Sequence, residues 1–143
     1  MDLSQRWVVW ALGSAFFAGL TALLGKIGVA GINSNLATLI RTVVVLVVAT
    51  LLVGLRDEWQ RPTAIPGRTW VFLTLSGLAT GLSWLCYYRA LQLGPVSRVA
   101  PIDKLSVAFA IVLGVMVLGE GLTWQVLLGG GLIVAGSLVL AVF

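Results

Sequence analysis

Five apolar runs, each about as long as a helix that crosses a bilayer, leave this chain few ways to fold. A hydrocarbon core about 30 Å thick takes roughly 20 helical residues at 1.5 Å each. The runs are Trp7–Val29, Leu36–Leu55, Thr69–Leu93, Ser97–Leu118 and Trp124–Phe143. None alternates apolar and polar residues as a membrane strand would. Lipid tolerates only segments that satisfy their own backbone groups, so each run is predicted to be a helix. The 143 residues are 59% hydrophobic and 10% charged, where a water-exposed domain carries roughly 25% charge. The expected fold is an all-α integral membrane protein, a single domain over residues 1–143 with five transmembrane helices. The first run exceeds a signal-peptide core and no persuasive cleavage site follows it, so it is expected to be a retained span.

Connections and charges constrain how the spans are laid out. Three links are short and rich in Gly, Asn or Pro (GINSN, LGP and GEGLT), which makes neighbouring helices antiparallel. The longer RDEWQRPTAIPGR is polar, bears Pro and must be solvated. Arg6, Arg56, Arg61 and Arg68 fall on the side of the N-terminus, against Lys26, Arg89 and Arg98 on the other. That bias is weak under the positive-inside rule. Two arrangements stay open: one fixed orientation with the N-terminus inside, or copies inserted both ways. Five spans place the termini on opposite sides, so an inverted pair of chains would mimic an inverted repeat. Small residues let membrane helices approach closely. Gly77 and Gly81 read as packing within one bundle, while Gly129, Gly130, Gly131 and Gly136 lean towards a subunit interface in a homodimer.

Other chemistries find little footing. No basic cluster is interleaved with aromatics, so no nucleic-acid partner is expected. Cys86 is alone and His is absent, which removes disulfides, metal-ligand sets and the commonest general base. No nucleophile lies beside an evident base and no carboxylate pair sits in a span, so an enzyme is not expected, nor a metal or other cofactor.

The residues that could carry function are the charges at membrane depth, where ionised groups are costly and default to functional candidates. Asp103 and Lys104 lie about 6 to 7 residues into the fourth run, roughly 10 Å from its start, and Arg41 lies roughly 8 Å into the second. Lys26 and Arg89 approach the same face from the ends of the first and third runs. Lys26 and Arg89 can snorkel to the headgroups on long stems. Asp103 can simply pair with Arg41 or Lys104 and hold helices in register. Alternatively, Arg41 and Lys104 keep positive character in a wet cavity and meet an anionic substrate group. A carboxylate among cations is held ionised, so proton coupling through Asp103 is the weaker idea. Trp84 and Tyr88, spaced i, i+4, share one helix face and could line a pocket for an organic ligand. Trp7, Trp59, Trp70 and Trp124 read as interfacial belts. Pro101 removes one backbone hydrogen bond near the start of the fourth run.

At this tract the chain resembles the EamA-domain proteins of the drug/metabolite transporter superfamily. The resemblance rests on YYRALQLGPVSRVAPIDKLSV (Tyr87–Val107), LGEGLTWQVLLGGGLIVAGSLVL (Leu118–Leu140) and LLGKIGVAGINSNLATLIRTVVV in the first half. It covers essentially the whole chain and points to the short, five-helix bacterial and archaeal branch with one EamA repeat. It implies a multi-pass inner-membrane carrier with alternating access, in which a second copy would be needed to enclose a central site. Small multidrug exporters carry a membrane-embedded glutamate in their first helix. Trp7–Leu24 contains no acid, which puts proton-coupled export of hydrophobic cations in doubt.

The expectation drawn from residues and resemblance together is a dimeric secondary transporter of small polar or anionic organic metabolites. Lys26, Arg41, Asp103 and Lys104 would supply charge, and Trp84 and Tyr88 would contact the organic body. Membrane lipid is the surrounding partner. The alternatives are a flippase for lipids or their precursors, and a non-transporting membrane assembly subunit.

Overall fold

Membrane helices form here where the apolar runs predict them. The computed structural model describes residues 6–142, the side chain of Arg6 excepted, so the expected end of the last span at Phe143 lies outside the described residues. The helices are α1 (Arg6–Gly28), α2 (Ser34–Leu55), α3 (Gly67–Leu93), α4 (Val96–Asp103), α5 (Ser106–Leu118) and α6 (Trp124–Val142). A single 3₁₀ turn at Pro62–Ala64 interrupts the long loop, and no strand occurs among the described residues. Five spans are long and apolar enough to cross a membrane, with α4 and α5 together forming the fourth, Val96–Leu118.

Local chemistry sets several of the ends. Before α2 the chain turns at Gly31, whose φ of 81° suits glycine. Asn33 then caps α2, its side-chain oxygen accepting from the Asn35 N–H at 2.8 Å. α5 stops at Gly119, in the left-handed conformation with φ 68°. The Gly119 and Glu120 N–H groups both reach back to the Gly114 carbonyl, that of Glu120 at 3.2 Å.

The fourth span differs from the continuous helix expected. It breaks at Lys104–Leu105, between α4 and α5. Pro101 has no N–H to give the Ser97 carbonyl, and its ring crowds that carbonyl. Downstream the ladder tightens: the Lys104 N–H bonds the Pro101 carbonyl and the Leu105 N–H the Ile102 carbonyl, both at 3.0 Å. These are i→i−3 bonds of the 3₁₀ type, which often mark a strained or functional point inside a helix. The charged pair Asp103–Lys104 therefore straddles an interruption.

The chain falls into two compact units. One is residues Ile27–Gln92, containing α2 and α3. On α2 its buried residues are Ser34, Ala37 and Thr38, a small and polar stripe. The Thr38 hydroxyl donates to the Ser34 carbonyl and the Thr42 hydroxyl to the Thr38 carbonyl, at 2.9 and 2.8 Å. Backbone-directed bonding of this kind keeps hydroxyls satisfied inside an apolar helix. On α3 the buried residues are Tyr88 and Leu91. The polar loop is exposed, as expected: Arg56 pairs with Glu58 at 3.9 Å, and the Trp70 indole N–H reaches the Pro62 carbonyl at 3.5 Å.

The other unit is Met1–Lys26 with Leu93–Phe143. Here α6 packs along both α4 and α5. Gly130 permits the approach to α5, because a Cβ there would come within 2.8 Å of Ile111 Cδ1. Gly129, Gly131 and Gly136 meet nothing within 4 Å. Gly77 and Gly81 of α3, in the first unit, likewise meet nothing within that distance. Large apolar side chains such as Phe16, Leu46, Phe72, Phe109 and Met116 are exposed. A water-soluble fold would reverse that distribution; lipid makes it the stable one.

Candidate functional site

The stripe that buries Ser34, Ala37 and Thr38 continues, one further turn along α2, to Arg41. Positions 34, 37, 38 and 41 follow the i, i+3, i+4, i+7 rule for one helix face. Arg41 stands seven residues into α2, about 10 Å from its start, and is half-buried. The corresponding face of α3 carries Trp84, Tyr88 and Leu91, again at i, i+4, i+7. The two faces meet through these long side chains. The Arg41 guanidinium carbon lies 4.0 Å from the Trp84 ring centroid and 5.4 Å from that of Tyr88.

Both distances fall inside the roughly 6 Å range of cation–π attraction. The guanidinium carries five N–H donors. Among the described residues no acid pairs with Arg41 and no side chain or carbonyl accepts from it; the ion pairs there are Arg56–Glu58 and Lys104–Asp103. Tyr88 is 5% exposed, so its ring is held in the packed part of this face. The result is a cation held in place by two rings, with its directional donors unspent. Such a fork matches a carboxylate or phosphate in two-point geometry.

A second polar group braces the same unit. Gln92 donates its amide N–H to the Ile32 carbonyl at 2.8 Å and accepts from Arg89 at 2.7 Å. Arg89, read from the sequence as a snorkelling cation, is thus engaged by Gln92, which ties the end of α3 to the α1–α2 loop. Gln92 was not singled out in the sequence. Its only signal there is a polar residue at the tail of an apolar run.

The remaining charged candidates lie in the other unit. The Lys26 ammonium donates to the Gly94 carbonyl at 2.9 Å, a bond that satisfies a backbone oxygen just past a helix end. Asp103 and Lys104 pair with each other, Nζ to Oδ2, at 3.8 Å. Their side chains are 38% and 53% exposed respectively, which makes the pair a loose one. Of the two partners considered for Asp103, the structure places Lys104 against it. Among the six candidates, the geometry brings Arg41, Trp84 and Tyr88 together, and separately Asp103 with Lys104. Glu120 is exposed, with its carboxylate folded back over Gly114.

Comparison with known proteins agrees with this architecture. Residues 5–142 match the EamA-like transporter family. A Sinorhizobium sp. protein named "Uncharacterized transporter in cobO 3'region" is 58% identical over 141 residues. The match covers 99% of this chain and 100% of that relative. No solved structure matches the chain significantly. A five-span helical membrane protein matched from end to end in this way belongs to the EamA-like transporter family.

Proposed function

We propose that the protein is a secondary-active transporter of small anionic or polar organic metabolites. It works by alternating access as a dimer of two copies in a bacterial or archaeal inner membrane. Family membership supports the transport reading. One observation supports the choice of substrate: the Arg41 guanidinium, stacked 4.0 Å over Trp84, has no acidic partner among the described residues. A cation kept at membrane depth without a counter-charge is costly, and a substrate anion is the group that offsets the cost. Arg41 fixes the anion in two-point geometry, and Trp84 and Tyr88 contact the organic body. The dimer is supported by the odd number of spans and by Gly129 and Gly131, whose surroundings are open enough for a second helix to approach.

Reconstitution into proteoliposomes tests this reading with a panel of radiolabelled organic acids, amino acids and organic cations. Wild type should take up one or more anionic or zwitterionic compounds and reject the cations. Arg41→Gln should lower that uptake more than about tenfold, because a desolvated charge pair loses at least 2 kcal/mol when one partner is removed. Arg41→Lys should recover part of it, with a point charge in place of a fork. Crosslinking should yield the same dimer in all three. Unchanged uptake in Arg41→Gln would overturn the assignment, and loss of the dimer in that variant would make Arg41 a brace between helices.

A further inference from the structure

The face between α4 and α6 holds a trough of about 430 Å³ that the transport reading does not use. Its floor is made of small side chains, Ala100, Gly136 and Ser137, and its walls include Pro101, Leu132 and Leu140. Gly136 meets nothing within 4 Å of its Cβ position, so the depression at that point is open space. Along α6 the trough runs from Leu132 to Leu140, about 12 Å at 1.5 Å per residue. That is most of one leaflet of a hydrocarbon core about 30 Å thick. Lys104 lines the same trough.

Lys104 turns an apolar slot into an amphiphilic one. Its Cα stands eight residues into the fourth span, about 12 Å from Val96. Side chains on a helix tilt towards its N-terminus, which for α4 is the nearer membrane face, so the ammonium snorkels towards the headgroups. At 3.8 Å the contact with Asp103 is an ion pair beyond hydrogen-bond reach. Among the described residues nothing accepts a hydrogen bond from the three ammonium donors.

We infer that this trough is a binding site for an anionic phospholipid, one acyl chain lying against Leu132, Gly136 and Leu140 and the phosphate meeting Lys104. Basic groups between membrane helices at headgroup level attract anionic lipids by about 1 kcal/mol per Lys near the surface, or about fivefold in affinity. The site is independent of Arg41, which belongs to the other unit.

The test is native mass spectrometry of the detergent-solubilised protein equilibrated with phosphatidylglycerol or phosphatidylcholine of matched chains. Wild type should retain phosphatidylglycerol about fivefold better. Lys104→Gln should abolish the preference while phosphatidylcholine retention stays the same, and Lys104→Arg should restore it. Gly136→Leu should reduce retention of both lipids by filling the trough. Arg41→Gln should leave the preference intact, so that a failed transport assay and a failed lipid assay remain distinguishable. Equal retention of both lipids by wild type, or an undiminished preference in Lys104→Gln, would overturn the inference. So would efficient disulfide formation between Ser137→Cys chains in lipid, because a second copy would then occupy the trough.

Discussion

The stacking of Arg41 on Trp84 predicts a measurable coupling between two helices. Replacing Trp84 by Leu keeps an apolar side chain at that position and removes the ring 4.0 Å beneath the guanidinium. Cation–π pairs contribute about 0.5–1 kcal/mol when exposed and about 2 kcal/mol when desolvated, with Trp the best partner. Arg41 is half-buried, which places the expected coupling at about 1 kcal/mol. Tyr88, at 5.4 Å and near the edge of the range, should couple more weakly. The assay is a double-mutant cycle on unfolding free energy in mixed micelles: wild type, Trp84→Leu, Arg41→Gln and the double variant, repeated with Tyr88→Leu. Independent sites add to within about 0.3–0.5 kcal/mol. A Trp84 coupling below that limit, or a Tyr88 coupling larger than that of Trp84, would refute the stacked geometry.

Three further outcomes follow from single contacts. Lys26→Met removes the donor to the Gly94 carbonyl and should destabilise by about 1.5–3 kcal/mol, the usual size for a hydrogen bond to a charged group, read in the same micelle assay. Pro101→Ala restores an N–H that can bond the Ser97 carbonyl; amide exchange at Lys104 and Leu105 should slow as the fourth span regularises, and unchanged exchange would mean that the break has another cause. Gly119→Ala forces a Cβ into a left-handed conformation with φ 68° and should cost about 1–2 kcal/mol.

Much of the candidate site could be read from spacing alone. The i, i+4 pair Trp84–Tyr88 announces a common face, and Arg41 in an apolar run announces an expensive charge. What spacing cannot supply is the partner. Arg41 and Trp84 are 43 positions apart, and their contact depends on how α2 and α3 meet. The charges at membrane depth looked from the sequence like one polar layer. The structure separates their roles: Lys26 closes a backbone carbonyl, Asp103 and Lys104 pair loosely at a helix break, and Arg89 is held by Gln92. The same residue types at the same depth differ because each answers to the acceptor nearest it, and the fold decides which acceptor that is.

The sequence by itself determined the solvent and the element type. Runs of about 20 apolar residues leave helices crossing lipid as the stable solution, since unpaired backbone groups in hydrocarbon cost several kcal/mol each. Helix ends at Asn33 and Gly119 and the weak point near Pro101 were equally local, because caps and proline act within a turn of chain. Tertiary structure alone decided that Arg41 rests on two rings with its donors unspent, that Gly130 packs against Ile111, and that small residues of α4 and α6 leave a trough beside Lys104. Those are contacts between distant segments. Composition can make them possible, but only the packing of one helix against another brings them about.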